Sequence, residues 1–284
     1  MSFCPDEGRI YQLVYELSLP EKRATAMQEL CKIRDLPPVS EILAPIMWNS
    51  FGTIASLLQE IICVYPTLTS LRLAKYRTGR VCNAVSLLQV IAQHSHTRVP
   101  FFQANILMFL YPLLNTTFKH RSFEYMRLTS LGVIGAVVKG DESEVINFLL
   151  STELIPLCLR IMENGSDLSK TLATFIVEKI LVDENGLNYV CATSLRFRSV
   201  EAVLANMILQ IQQPRQYPAD GTDQRPRLLK HIIRCYLRLT DKNSIREELK
   251  KCLPSAFIDG SLIPLIKDDA STTKNLSRLV ELLS

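Results

Sequence analysis

The histidines and cysteines are the side chains of this 284-residue chain best suited to catalysis or metal binding, but their spacing supports neither. His94 and His96 lie two positions apart in a polar turn with no cysteine or acidic cluster nearby, which is poor geometry for a metal ion. The eight cysteines are at least 17 positions apart, so a zinc module is not expected. A Ser–His–Asp order, a phosphate-binding glycine loop and an H-E-x-x-H helix are also missing. The sequence therefore predicts a protein that is not an enzyme and binds no cofactor or metal.

The composition predicts a folded protein with a substantial core, because 48% of the residues are hydrophobic and 21% are charged. The net charge of +4 is too small to indicate nucleic-acid binding unless basic residues cluster locally. The N-terminus lacks a basic start followed by an apolar run, and apolar runs are shorter than the roughly 18 residues of a membrane span. We expect a soluble, intracellular protein with no membrane partner.

The apolar residues recur with a helical period along almost the whole chain. In "SKTLATFIVEKIL", the positions Leu172, Phe175, Ile176, Lys179 and Ile180 follow the i, i+3, i+4, i+7, i+8 spacing of one helix face. Strand-like alternation and Asn-Gly hairpins between β-branched runs are missing. The sequence predicts an all-α protein.

Three segments that begin at Ala84, Leu128 and Leu172 repeat one pattern: an apolar helix, a short polar turn and a second apolar helix. Their spacing of 44 residues matches the period of roughly 40 to 47 residues in HEAT and armadillo repeats. A fourth copy, "RCYLRLTDKNSIREELKKCLP", follows a loop-like stretch over 212–226 that is rich in Pro, Gln, Asp and Gly. Because stacked repeats share one core, residues 1–284 are predicted to form a single armadillo-repeat domain with an irregular loop at 212–226.

The stretch "LGVIGAVV" places two glycines in a predicted helix, where each costs about 1 kcal/mol relative to alanine. Tyr125, Thr129, Gly132 and Ala136 are spaced by four, three and four residues, so they lie on one side of that helix. One explanation is that glycine lets a neighbouring helix pack closely. The other is a trough where an amphipathic helix of a partner approaches the backbone.

Basic residues cluster in "LRLAKYRTGR" and "FKHRSFEYMR". Such clusters could contact a phosphate backbone, and the alternative is a solvated surface with ion pairs. A nucleic-acid-binding solenoid is therefore the second hypothesis, with contacts from Arg72, Lys75, Arg77, Arg80, Lys119, Arg121 and Arg127.

Several long blocks, among them "PIMWNSFGTIASLLQEI", "FEYMRLTSLGVIGAVVK" and "IPLCLRIMENGSDLSKTLATFIVEKIL", closely resemble the "required for cell differentiation" family. That family supplies the armadillo-repeat subunit (Caf-forty or NOT-nine type) of the CCR–NOT deadenylase complex. The resemblance runs from about Ile10 to Leu253. The loop at 212–226 is longer than the usual connector of the family, which indicates a divergent member.

The resemblance implies a crescent of armadillo repeats that is an adaptor without catalytic activity. One surface would dock on a helical domain of the NOT scaffold subunit. Other surfaces would bind short helical motifs of RNA-binding regulators and translational repressors, promoting mRNA deadenylation, decay and translational repression in the cytoplasm, including mRNA-processing bodies, and in the nucleus. The alternative is a nucleic-acid-binding armadillo protein that acts in transcription regulation. A homodimer remains open.

The resemblance also implies a role for the glycine stripe. The groove of the family for regulator helices falls at positions that match Tyr125, Gly132 and Leu172, with Leu172 one repeat further along. This favours the trough over close helix packing.

A second surface of the family holds pockets for tryptophans of Gly-Trp-rich microRNA effectors. The matching positions are Ser194, Arg196, Ser244 and Glu248. Arg196 fits the family, whereas an aromatic residue is expected at Ser194, a basic one at Ser244 and a small apolar one at Glu248. Without the aromatic wall, and with a carboxylate added, these effectors are doubtful partners.

Overall fold

The structure is a computed structural model that describes residues 7–69, 75–140, 142–213 and 223–283. Within these ranges every regular element is a helix and none is a strand, which confirms the predicted all-α repeat fold. The chain divides into two compact units, Met1–Gly140 and Asp141–Ser284. That the two units form one continuous armadillo-repeat domain stays a prediction.

The first unit is built from α-helices, with short 3₁₀ helices at Tyr65–Thr67 and Ile106–Leu110. Its α-helices are α1 Glu7–Glu16, α2 Pro20–Ile33, α3 Val39–Asn49, α4 Thr53–Ile62, α5 Lys75–Gln93, α6 Ser95–Gln103, α7 Tyr111–Leu114 and α8 Arg121–Val138.

Helix α5 lies at the centre of the first unit and packs against α2, α3, α4 and α8. Helix α5 buries Ala84, Leu88 and Ile91, and α8 buries Met126 and Val133. Fully burying a leucine, isoleucine or methionine side chain stabilises the fold by about 1.5–3 kcal/mol. This burial holds both helices in the core of the first unit.

The second unit is also helical, with a 3₁₀ helix at Ser255–Phe257. Its α-helices are α9 Ser143–Leu150, α10 Leu154–Asn164, α11 Asp167–Val182, α12 Glu184–Cys191, α13 Ser194–Gln212, α14 Arg225–Leu239, α15 Asn243–Cys252, α16 Ile263–Ile266 and α17 Ala270–Leu283. Helices α11 and α14 pack side by side, with α10 and α12 against α11 and α17 against α14.

The predicted helix–turn–helix pattern is present in every copy that the sequence marks. Ala84, Leu128 and Leu172 lie in the long helices α5, α8 and α11, and the fourth copy is α14 followed by α15. Polar turn residues start the following helices. The His94 ring accepts a hydrogen bond from the backbone of His96, and the Asp183 carboxylate accepts from the first turn of α12.

The loop that the sequence predicted at 212–226 includes residues that belong to the helices on either side. Helix α13 continues to Gln212, and α14 begins at Arg225, so that Pro226 lies in the first turn of a helix. Proline is tolerated there because that backbone nitrogen has no partner within the helix. Residues 214–222 of the predicted loop lie outside the described residues.

Arg127 is a buried anchor of the first unit, not a contact for a phosphate backbone as its sequence neighbourhood suggested. The residue is 5% exposed. Its guanidinium donates hydrogen bonds to the backbone carbonyls of Thr116 and Phe118, each at 3.0 Å, and to the Glu124 carboxylate at 2.6 Å. These bonds hold the segment before α8 against the helix.

We predict that Arg127→Ala lowers the free energy of unfolding by about 2–4 kcal/mol, because it leaves buried carbonyl groups without donors. Chemical denaturation followed by circular dichroism measures the change. Lys139→Ala, an exposed cation at the end of the same helix, is the control and should change stability by less than about 0.5 kcal/mol. Equal stability of the two variants would contradict the anchoring role.

Candidate peptide-binding surfaces

The stripe of α8 that the sequence singled out lies at the surface over its first three positions. Tyr125 is 43% exposed, and Thr129 and Gly132 are half-buried. Ala136 is 8% exposed, so it belongs to the buried end of the stripe and offers little surface to a partner. The accessible part therefore runs from Tyr125 to Gly132, over two helical turns.

Gly132 faces a side chain of α5 and not the backbone of another helix. A Cβ atom built on Gly132 would have the Gln89 side chain as its three nearest atoms, with Oε1 at 3.1 Å. Gln89 is half-buried, and the contacting atoms are the flexible end of the side chain. The Gln89 amide occupies the space beside Gly132 and would have to shift by a few tenths of an ångström for a methyl group. Because this neighbour is a movable side chain, the contact does not require glycine for close helix packing.

Tyr125 is held at the edge of this surface by its own helix. The Arg121 guanidinium donates to the Tyr125 hydroxyl at 2.7 Å and lies 5.2 Å from the centre of the ring. The Thr129 hydroxyl donates to the backbone carbonyl of Tyr125 at 2.9 Å. The ring is therefore oriented before any partner binds.

Helix α5 forms the opposite side of the surface through Cys82 and Gln89, which are both half-buried. The Thr129 Oγ1 atom lies 3.9 Å from the Cys82 Sγ atom, so the two helices meet there. Burial raises the pKa of the Cys82 thiol to about 11, which keeps it protonated and uncharged at neutral pH. We call the surface formed by Cys82, Gln89, Tyr125, Thr129 and Gly132 the α5–α8 groove.

Sequence reasoning missed the α5 side of this groove. The 44-residue period could have indicated it, because Gln89 is one residue from the position equivalent to Gly132 in the preceding repeat. A repeat places equivalent residues on neighbouring helices, so the stripe on α8 implied a matching edge on α5.

Leu172 lies in the second unit, where it is half-buried on the outer side of α11. It belongs to an apolar ridge that the sequence analysis did not describe in full: Leu168, Leu172, Phe175 and Val182, with Leu168 47% and Val182 51% exposed. The spacing of four, three and seven residues places these side chains on one side of the helix and was readable in the sequence. We call this surface the α11 ridge.

A buried polar cluster supports the α11 ridge from α14. The Glu178 carboxylate contacts the His231 Nδ1 atom at 2.5 Å and accepts a hydrogen bond from Arg234 at 3.3 Å. The Phe175 ring meets the His231 ring edge-on, with 5.6 Å between the ring centres. Because Glu178 and His231 are buried, these contacts fix the position of Phe175 on the ridge.

The four residues of the predicted tryptophan-pocket region lie on two helices of the second unit: Ser194 and Arg196 on α13, Ser244 and Glu248 on α15. The Arg196 guanidinium stacks on the Tyr189 ring at 4.0 Å, so this face of the arginine already has an aromatic partner. The Glu248 carboxylate lies 3.9 Å from the Arg198 guanidinium and links α15 to α13. That the region is altered for tryptophan binding stays a prediction.

The basic residues proposed for nucleic acid do not form one described surface. Arg72 and the side chain of Lys75 lie outside the described residues. Arg80 pairs with the buried Glu60 carboxylate, and Arg121 is bound to the Tyr125 hydroxyl. Arg77 and Lys119 are exposed. The structure thus supports the alternative of ion pairs for Arg80 and leaves the nucleic-acid contacts as a prediction.

One further apolar surface follows α4 and the turn before it, and the sequence analysis did not mention it. It consists of Ala55, Leu58 and Ile62, spaced by three and four residues on α4, together with Phe51 in the turn before the helix. Phe51 is fully exposed and Ile62 is 42% exposed. We call this surface the α4 stripe, and its spacing could have revealed it in "FGTIASLLQEI".

Among the residues that the structure describes, His, Cys, Asp and Glu form no group of three or more that could hold a metal ion. In the same ranges no single helix is long and apolar enough to cross a membrane. The bent pair of α9 and α10 meets that criterion by length and composition only.

The fold and these surfaces define a class of protein: an all-helical repeat protein that exposes apolar side chains in stripes along its helices. Such stripes are typical of surfaces that bind peptides or other proteins. The family model "Cell differentiation family, Rcd1-like" matches residues 13–283. This chain belongs to the Rcd1-like cell differentiation family.

Curated relatives agree with this assignment over nearly the whole chain. The "Cell differentiation protein rcd1" of Schizosaccharomyces pombe is 51% identical over 275 residues, which cover 97% of this chain and 93% of the relative. "Protein CAF40" of Saccharomyces cerevisiae is 46% identical over 277 residues, which cover 97% of this chain and 71% of the relative.

Solved structures support the fold alone. Two crystal structures of engineered proteins from the Northeast Structural Genomics Consortium match with TM-scores of 0.65 and 0.64. The first is 15% identical and covers 97% of this chain and 96% of its own. The second is 12% identical and covers 99% of each chain.

We predict that Gly132→Ala changes the free energy of unfolding by no more than about 1 kcal/mol, because its Cβ meets only the movable end of Gln89. Gly186→Ala is the matched comparison, since a Cβ there would collide with the backbone carbonyl of Ile180. That variant should lose at least about 2 kcal/mol. Thermal and urea denaturation measure both. If Gly132→Ala lowers the free energy of unfolding by more than about 1.5 kcal/mol, close helix packing explains the glycine instead.

Proposed function

We propose that this protein is a non-catalytic adaptor subunit of the CCR–NOT deadenylase complex, which binds the NOT scaffold and short helical motifs of RNA-binding regulators. Membership of the Rcd1-like family and the near full-length similarity to rcd1 and CAF40 support this proposal. The observation that carries it is the α5–α8 groove, where a half-buried glycine covered only by the movable Gln89 side chain lies two helical turns from an exposed tyrosine. In this role the protein brings particular mRNAs to deadenylation, decay and translational repression, in the cytoplasm and nucleus.

The groove suits an amphipathic helix. Because Gly132 has no side chain, displacement of the movable Gln89 amide lets an apolar residue of the partner approach the backbone of α8. The Tyr125 ring offers a flat apolar wall, and the Gln89 amide can exchange hydrogen bonds with the polar edge of the partner. The α11 ridge, with Leu172, presents a second apolar surface of the kind that receives i, i+3, i+4 anchors.

The α4 stripe is our candidate for the surface that binds the NOT scaffold. A fully exposed phenylalanine followed by apolar residues on one helix side is unfavourable in water and favourable in an interface core. The stripe lies on α4, whereas the regulator groove lies between α5 and α8. Binding at one surface therefore leaves the side chains of the other accessible.

We expect Gly132→Trp, Tyr125→Asp and Leu172→Glu each to weaken regulator binding at least about tenfold, because they fill the groove or place a charge against an apolar helix face. The probe is a fluorescein-labelled helical motif from a regulator that co-purifies with the wild-type chain, measured by fluorescence anisotropy. Leu209→Glu makes the same change at an exposed leucine of α13 and should bind as the wild type does.

The proposal is contradicted if Tyr125→Asp and Leu172→Glu bind the regulator peptide normally. In that case only Gly132→Trp would lose binding, and its lowered melting temperature would explain the loss. The salt dependence of binding distinguishes peptide docking from the nucleic-acid alternative. Apolar helix docking should change little between about 50 mM and about 200 mM salt, whereas phosphate binding should fall steeply.

We further expect one-to-one binding to the helical domain of the NOT scaffold, lost in the double variant Phe51→Ala with Ile62→Asp. The reason is that the change removes an aromatic anchor and adds a buried charge to the α4 stripe. Analytical ultracentrifugation of the two purified partners measures the complex. Ile258→Asp, at an isoleucine that is 68% exposed in the second unit, is the control. An intact complex with the double variant would place the scaffold elsewhere.

A further inference from the structure

A cavity of about 410 Å³ lies between α2, α4 and α5 of the first unit. Among the described residues, its lining comprises Arg23, Gln59, Glu60, Cys63, Arg77 and Arg80. None of these side chains belongs to the α5–α8 groove or to the α4 stripe. The volume is within the range of about 300–1,000 Å³ in which proteins hold small ligands or ligand groups.

The inner wall of this cavity is a rigid ionic cluster. Arg80 binds the Glu60 carboxylate through two nitrogen atoms, at 2.8 and 2.5 Å. Arg23 approaches the same carboxylate at 3.3 Å and also donates to the backbone carbonyl of Leu17 at 2.8 Å. Glu60 is 5% exposed, so its negative charge is enclosed by the guanidinium groups of Arg23 and Arg80.

The outer wall carries positive charge that the Glu60 cluster does not neutralise. The described lining carries three guanidinium groups and one carboxylate, so that two positive charges remain among these residues. Arg77 is exposed and contacts none of the described acidic residues. Arg77 and Arg80 are three residues apart on α5, which places their guanidinium groups on the same side of the helix.

We propose that this cavity binds a phosphorylated serine or threonine side chain of a partner protein. A phosphate monoester carries a charge of about −1.5 to −2 at neutral pH and three acceptor oxygens, which match two excess positive charges and a planar arginine donor. Glu60 holds Arg80 in a fixed orientation, so little side-chain freedom is lost when the phosphate binds.

A nucleic-acid backbone fits the cavity less well than a phosphorylated side chain. Each phosphodiester carries a single charge, and backbone binding relies on cations that follow the strand over several nucleotides. The cavity instead gathers its arginines around one half-open volume, which suits a single phosphate group. The terminal, doubly charged phosphate is the better match.

The cavity and the α5–α8 groove lie on different sides of α5. Arg80 lines the cavity and Cys82 contacts Thr129 in the groove, and side chains two residues apart on a helix point in different directions. The cavity is therefore a separate site for a phosphorylated residue, and its use does not depend on a helix bound in the groove.

The test uses phosphorus NMR with the full chain and a pentapeptide that has phosphoserine between two pairs of glycines. We expect the phosphorus signal to broaden in the presence of the wild-type protein. In Arg77→Ala the affinity should fall about tenfold through the loss of one charge-assisted contact. Lys139→Ala removes a cation elsewhere in the same unit and should leave the affinity unchanged. The unphosphorylated peptide, added as a competitor, should not displace the phosphopeptide.

Any of four results overturns the proposal: no broadening with the wild-type chain, equal binding by Arg77→Ala, binding of inorganic phosphate alone, or tighter binding of a single-stranded RNA than of the phosphopeptide. Arg77 is exposed and makes no described ion pair, so its replacement does not threaten the fold, and the melting temperature confirms this. Binding of an unphosphorylated regulator peptide to Arg77→Ala is the second control. Normal binding of this peptide shows that the adaptor function is intact, so a loss of phosphopeptide binding is then specific to the cavity.

Discussion

The side-by-side burial of the long helices, α5 against α8 and α11 against α14, is the interaction on which the candidate surfaces depend. Each of these helices buries one side in its own unit and leaves a narrow edge in contact with water. Because the buried sides set the distance and rotation of the pair, the exposed edges are held in place without partners. The groove beside Gly132 and the ridge that contains Leu172 are consequences of that packing.

Buried ionic groups at the helix junctions reinforce this packing. Glu60 joins α4 to α2 and α5, and Glu178 joins α11 to α14. A buried charge is tolerated only when its partners are close and well oriented, so these contacts disfavour other rotations of the helices. The same requirement leaves Arg77 available at the mouth of the cavity, because the Glu60 carboxylate is already satisfied by Arg23 and Arg80.

Much of the fold could be predicted from the sequence, because the 44-residue period and the helical spacing are local patterns. The positions of Tyr125 and Gly132 on one helix side followed from the same spacing. The contacts of Gln89, Arg80 and Arg127 could not be predicted, since they depend on which distant residue each side chain meets. Arg80 and Arg127 lie in basic stretches of the sequence, yet both form hydrogen bonds within the protein, Arg80 to the Glu60 carboxylate and Arg127 to the Thr116 carbonyl.

Two helical glycines, Gly132 of α8 and Gly186 of α12, show how a local cost can indicate function. At Gly132 a helix gives up about 1 kcal/mol relative to alanine, although the nearest side chain could move aside for a methyl group. Stability alone would favour alanine at such a position. At Gly186 the neighbouring backbone leaves no room for a side chain, so stability alone accounts for glycine there. The partner helix that we propose for the α5–α8 groove accounts for a glycine near an exposed tyrosine, at a position where the fold of the chain itself does not require one.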